Sequence, residues 1–155
     1  MARGRRDTET LDLLSWRPAE EMVRRYKPER VRAASLRILI AHAVAETLRD
    51  STLNRFAVAE RMSAYLGEAV SKNMLDAYAS ASREEHSISY LRLLALVHAT
   101  GDVRPLQIGA ELLGHSVIDD RYLSWVEVGQ LGEAKEEITK NYDAALRTAR
   151  RNTGR

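Results

Sequence analysis

An all-α fold is what this chain predicts, on three observations. Its composition is dominated by Ala and Leu, with aromatic residues at only 6%, a mixture that favours helix over the β-branched and aromatic content of sheets. Its apolar residues recur at helical spacing in successive segments. Residues of the types that start and stop helices, among them Asn54, Gly67 and Ser71, punctuate those segments. With 155 residues, the expected arrangement is a compact helical bundle over 31–116, preceded by a basic arm (1–30) and followed by a C-terminal helix with a basic tail (117–155).

The arm carries an isolated apolar cluster, Leu11, Leu13, Leu14 and Trp16. It reads as a docking segment, with the chain's own core favoured slightly over a neighbouring subunit. Pro18 suits the first turn of a short helix over 19–26, and Pro28 marks a break before the bundle. From Val31 to Arg49, Ala34, Ile38, Ala41, Ala45 and Leu48 recur every three or four residues, so an amphipathic helix is expected there. Asp50-Ser51-Thr52 would connect it to the next.

Asn54 can cap a helix whose inward face would hold Phe56, Ala59, Met62, Tyr65 and Leu66. Gly67 allows the left-handed backbone of a helix end, which places a reversal near 67–70. Ser71 then caps a second helix with Leu75 and Tyr78 inward and Lys72, Asn73 and Asp76 outward. Residues 54–80 thus have the outline of a helix-turn-helix, although a plain helical hairpin fits the same features.

A leucine-rich helix over 89–99, mostly buried and ending near Gly101, and a short helix over 104–113 ending at Gly114 would complete five helices within 31–114. From Asp120 onward a long helix is expected, with Leu131, Ala134, Ile138, Asn141, Ala145 and Thr148 recurring near heptad spacing. Asn141 would set register if that helix associates. Packing on a partner is preferred over packing on its own domain.

Charge and chemistry narrow the function. The formal charge is +2, but residues 1–37 hold ten basic against six acidic side chains and residues 147–155 hold four arginines and no acid. The middle is therefore acidic, and the basic ends read first as the solubilising charge common at chain ends and second as added phosphate contacts. With no cysteine, disulfides and thiolate metal sites are excluded, and a reducing compartment is natural. The apolar run from Ile38 to Ala45 is too short to span a bilayer. His42, His86, His98 and His115 form no ligand pattern, and the adjacent pairs Glu84-Glu85 and Glu136-Glu137 diverge on a helix. No phosphate loop or nucleophile turn is present, so no enzyme, cofactor or metal is expected.

The order LNRFAVAERMSAYLGEAVSKNMLDAYAS, HSISYLRLLALVHATGD and LQIGAELLG resembles phage helix-turn-helix regulators. It is similar to CII-type lysogeny regulators and to the early regulator of Mu-like transposable phages, whose N-terminal segment the opening TLDLLSW with Pro18 also resembles. The resemblance covers most of residues 8–130. It implies a sequence-specific regulator of transcription that binds double-stranded DNA half-sites as an oligomer, in the bacterial cytoplasm at the nucleoid. Homo-oligomer contacts through the arm and the C-terminal helix are expected, with host RNA polymerase open as a further partner. On this reading Ser71, Lys72, Asn73 and Asp76 face base edges, and Asn73 reads adenine. Arg55, Arg61 and Arg83 hold phosphates. Two alternatives stay open: an assembly protein forming helical oligomers or filaments, and an accessory DNA-binding factor of transposition.

Overall fold

A computed structural model describes residues 22–83 and 85–153, and every regular element among them is helical. The elements are α1 (Pro28–Val31), α2 (Leu36–Asp50), α3 (Arg55–Leu66), α4 (Lys72–Tyr78), α5 (Tyr90–Thr100), α6 (Arg104–Leu112), a 3-10 turn (Asp120–Tyr122) and α7 (Leu123–Thr153). The apolar cluster at 11–16 lies outside the described residues. No described helix is long and apolar enough to cross a membrane.

Two boundaries differ from expectation. The helix expected over 19–26 is absent over its described part, 22–26, and helix begins at Pro28. There the fixed φ of proline fits a first turn that has no use for its missing N–H. The next helix starts at Leu36 rather than Val31 because Ser35, in an extended conformation, accepts the Ile38 N–H on its Oγ at 3.3 Å. A capping bond satisfies a donor that helical periodicity alone leaves open. Ala34, counted in the stripe, is exposed outside the helix.

Helix α2 lies between two apolar clusters. On one side Val44 and Leu48 meet Val58, Ala59 and Met62 of α3, Leu75 and Tyr78 of α4, and Ala95, Leu96 and Ala99 of α5. On the other, Ala43 packs with Tyr26, Val31 and Ile108 of α6. The core thus includes Tyr26, N-terminal to the expected start of the bundle. Its hydroxyl lies within hydrogen-bond reach of Ala43 O and Thr47 Oγ1, and Thr47 donates to Asp102 Oδ2 at 3.0 Å. Arg104 covers the Tyr26 ring at 4.4 Å from its centroid while pairing with Asp102 at 2.8 Å and Asp50 at 3.0 Å. Burial, outweighing the opposing bond to Thr47, raises the Tyr26 phenol above its ordinary range.

The reversal between α3 and α4 is built from two devices. Gly67 closes α3 at φ 70°, ψ 14°, and its N–H reaches Ser63 O at 2.9 Å. A side chain with a Cβ is strained in that region. Ser63 Oγ accepts the Val70 N–H at 2.8 Å and donates back to Ala59 O at 2.8 Å. Since Val70 is buried, Ser63→Ala leaves its N–H without that partner, and a loss of about 1–3 kcal/mol is expected in urea denaturation.

The last element stands apart. Buried Gln107 tethers the preceding linker, accepting the Val117 N–H at 2.6 Å and donating to Glu111 at 2.8 Å. Beyond it, α7 runs for 31 residues and contributes no buried residue. It passes through Gly129 and Gly132, where an added Cβ would meet nothing within 4 Å.

Candidate nucleic-acid interface

The first turns of α3 and α4 meet on the surface, although 21 residues separate Arg55 from Asp76. Asn54 caps α3 by accepting the Ala57 N–H at 3.0 Å, and Ser71 caps α4 by accepting the Met74 N–H at 3.2 Å. Leu75, wholly buried, and Tyr78 seat α4 on the core. With those two positions inward, the helical period turns Lys72, Asn73 and Asp76 away from it. Asn73 is exposed, and its side chain has no hydrogen-bond partner among the described residues.

Asp76 sits between two cations. One carboxylate oxygen pairs with Arg55 Nη1, the other with Lys72 Nζ at 2.5 Å. At the position expected to face base edges, both carboxylate oxygens are engaged within the protein. The acid joins α4 to the start of α3 and leaves the trio with one net positive charge. The bond from Lys72, then that from Arg55, holds its carboxyl below the ordinary value of 3.8. Such a group contributes stability above the unfolded-state pKa and loses it as pH falls through the lower folded-state value. Asp76→Asn should accordingly flatten the decline of stability below about pH 4, measured by urea denaturation across an acid series.

The two other predicted phosphate contacts lie elsewhere. Arg61 donates to Ala99 O at 3.3 Å, at the C-terminal turn of α5, where a cation meets the negative end of the helix. Arg83 is exposed in the segment after α4 and makes no ion pair among the described residues. Neither contacts the Arg55–Asp76–Lys72 cluster.

Phe56 and Tyr65, expected inward, are exposed at 69% and 53%. The buried face of α3 is Val58, Ala59 and Met62, and a helix of this radius cannot also bury Phe56 two residues ahead of Val58. Lys72 Nζ stands 6.0 Å from the centroid of the Phe56 ring, so an aromatic face belongs to the cluster. Tyr65 stacks on His98 with centroids 4.2 Å apart. The leucine-rich α5 is less buried than expected, with Tyr90 and Leu91 exposed.

Several other cations already have acidic partners: Arg25 with Glu111, Arg30 with Asp50, Arg49 with Glu46, Arg92 with Glu68 and Arg104 with Asp102. Arg147 and Arg150, exposed near the end of α7, have no carboxylate partner among the described residues. No group of three or more His, Asp or Glu among the described residues could hold a metal ion. No protein-family model, curated protein or solved structure matches the chain.

Proposed function

We propose that this protein is a sequence-specific DNA-binding regulator of transcription whose α3–α4 unit acts as a helix-turn-helix. One observation carries this reading: a braced reversal and the Asp76 clamp fix the start of α4 on the surface, with Asn73 exposed and Lys72 and Phe56 beside it. A recognition helix requires a rigidly seated, solvent-facing N-terminal turn, because that turn enters the major groove. Asn73 supplies the donor and acceptor pair that matches adenine. Lys72 supplies charge beside it, and Ser71 keeps a hydroxyl hydrogen to donate while it caps the helix.

Phosphate attraction on this reading comes from Arg55, whose cluster keeps one net positive charge, from Arg83, from the arginines closing α7 and from the basic arm, while several other bundle cations are paired with acids. Binding as a homo-oligomer offsets the weak charge of a single reading face. The resemblance to phage regulators points the same way, and with it come a bacterial cytoplasmic setting and host RNA polymerase as a partner to test. An accessory role in transposition would share the DNA contact but not the base preference.

The experiment is a binding titration on duplex DNA with variants. Asn73→Ala should relax base preference, costing about 1–3 kcal/mol on the preferred sequence. Arg55→Ala should weaken binding evenly across sequences and reduce the salt slope by about 1. Sequence-indifferent binding by the wild-type protein would contradict promoter recognition. No binding at low salt, together with strong self-association, would favour the assembly reading that the exposed α7 also accommodates.

A further inference from the structure

Helix α7 has an apolar stripe that nothing among the described residues covers. Val128, Leu131, Ile138, Tyr142, Ala145 and Ala149 follow one another at alternating three- and four-residue steps, with Lys135 filling the one gap. A stripe of that spacing is the seam of a two-helix contact, and the stem of Lys135 can lie along apolar surface with its charge in water. Leu131, Ile138 and Tyr142 are 64%, 69% and 64% exposed. A helix containing two glycines and burying none of its side chains lacks the packing that sustains most helices in proteins.

Two features of the helix are asymmetric about Ile138. Residues 123–137 carry four acids and Lys135, a net −3, whereas residues 138–153 carry Lys140 and three arginines against Asp143, a net +3. The seam tapers too, from Val128 and Leu131 at one end to Ala145 and Ala149 at the other. A parallel pair would set acid beside acid and leave alanine facing alanine. An antiparallel pair sets each acidic half along a basic half and places Leu131 against the partner's alanines. Most of these charges lie on the outer side of the helix, so they act through the field rather than as contact pairs.

We infer that α7 pairs antiparallel with α7 of a second copy of this chain, about a two-fold axis near Ile138. This rests on the reading of α7 as the helix that joins subunits, and adds its direction and midpoint. Self-complementarity of this kind is what an isologous two-fold interface requires.

The chain has no cysteine, so introduced cysteines report contacts cleanly. In the antiparallel pair, equivalent residues meet only near the axis. Position 131 of one copy lies about 21 Å from position 131 of the other at 1.5 Å per residue, far beyond the reach of a disulfide. Under mild oxidation of the full chain without DNA, Ile138→Cys and the double variant Leu131→Cys/Ala145→Cys should form covalent dimers. Leu131→Cys and Ala145→Cys alone should stay monomeric on denaturing gels, while sedimentation shows the unmodified protein as a dimer or higher even-numbered oligomer. Covalent dimers from both single outer variants would establish parallel pairing and overturn the direction only. A wild-type monomer at all concentrations would overturn the pairing itself, as would a dimer that neither Ile138→Cys nor the double variant captures. Since DNA is absent throughout, none of these outcomes depends on whether the protein binds it.

Discussion

Deleting residues 121–155 should lower affinity for a two-half-site operator by about 10²–10⁴-fold while leaving the bundle folded. The bundle keeps its core because α7 contributes no buried residue, and Val117 remains tied to Gln107. Two losses combine in the deletion. Subunits no longer present two reading faces at once, and the cations at Arg147, Arg150 and Arg151 are removed. Fluorescence anisotropy on duplexes with one and two half-sites separates them: lost avidity appears only on the double site, lost charge on both. An unchanged affinity for the double site would remove α7 from DNA binding.

Leu75→Ala should have the largest effect on stability of any change in α4, about 2–5 kcal/mol. Leu75 is wholly buried in the cluster that α2, α3 and α5 share, and α4 has only seven residues to hold it in place. Against a typical total of about 5–15 kcal/mol, such a loss leaves a marginal fold. DNA affinity should fall with it, although every exposed side chain of α4 is untouched. Urea denaturation followed by circular dichroism gives the stability change. Stability within about 0.5 kcal/mol of wild type would mean that Leu75 does not anchor α4, since surface-like changes have effects of that size.

What could be read from the sequence was local. Asn54, Gly67, Ser71 and Gly101 act within one turn of their own positions, and each sits at the helix end that its chemistry indicated. The all-helical class follows from the same short-range signals. The errors arose where a distant partner or a competing local device decides. Ser35 opens α2 later than periodicity suggests, and the three- and four-residue steps of α3 group Phe56 with Ala59 and Met62, whereas the buried face joins those two with Val58 and leaves Phe56 exposed. The ion pair of Asp76 could not be read from α4 alone, because Arg55, its partner, is 21 residues earlier. The Tyr26–Thr47–Asp102–Arg104 network spans three separate segments and leaves no trace in any one of them. The likeness of the α3–α4 region to phage regulators lay in patterns of turns and apolar residues, which carry fold more directly than they carry a target.

Selection of bound duplexes from a random pool by the 155-residue chain shows whether the first turn of α4 reads DNA sequence. One recurring motif is expected, containing an adenine contacted by Asn73 and present as two half-sites at fixed spacing, with Asn73→Ala erasing preference at that adenine alone. A selected pool indistinguishable from the starting pool, or a motif unchanged by Asn73→Ala, would contradict sequence reading by α4.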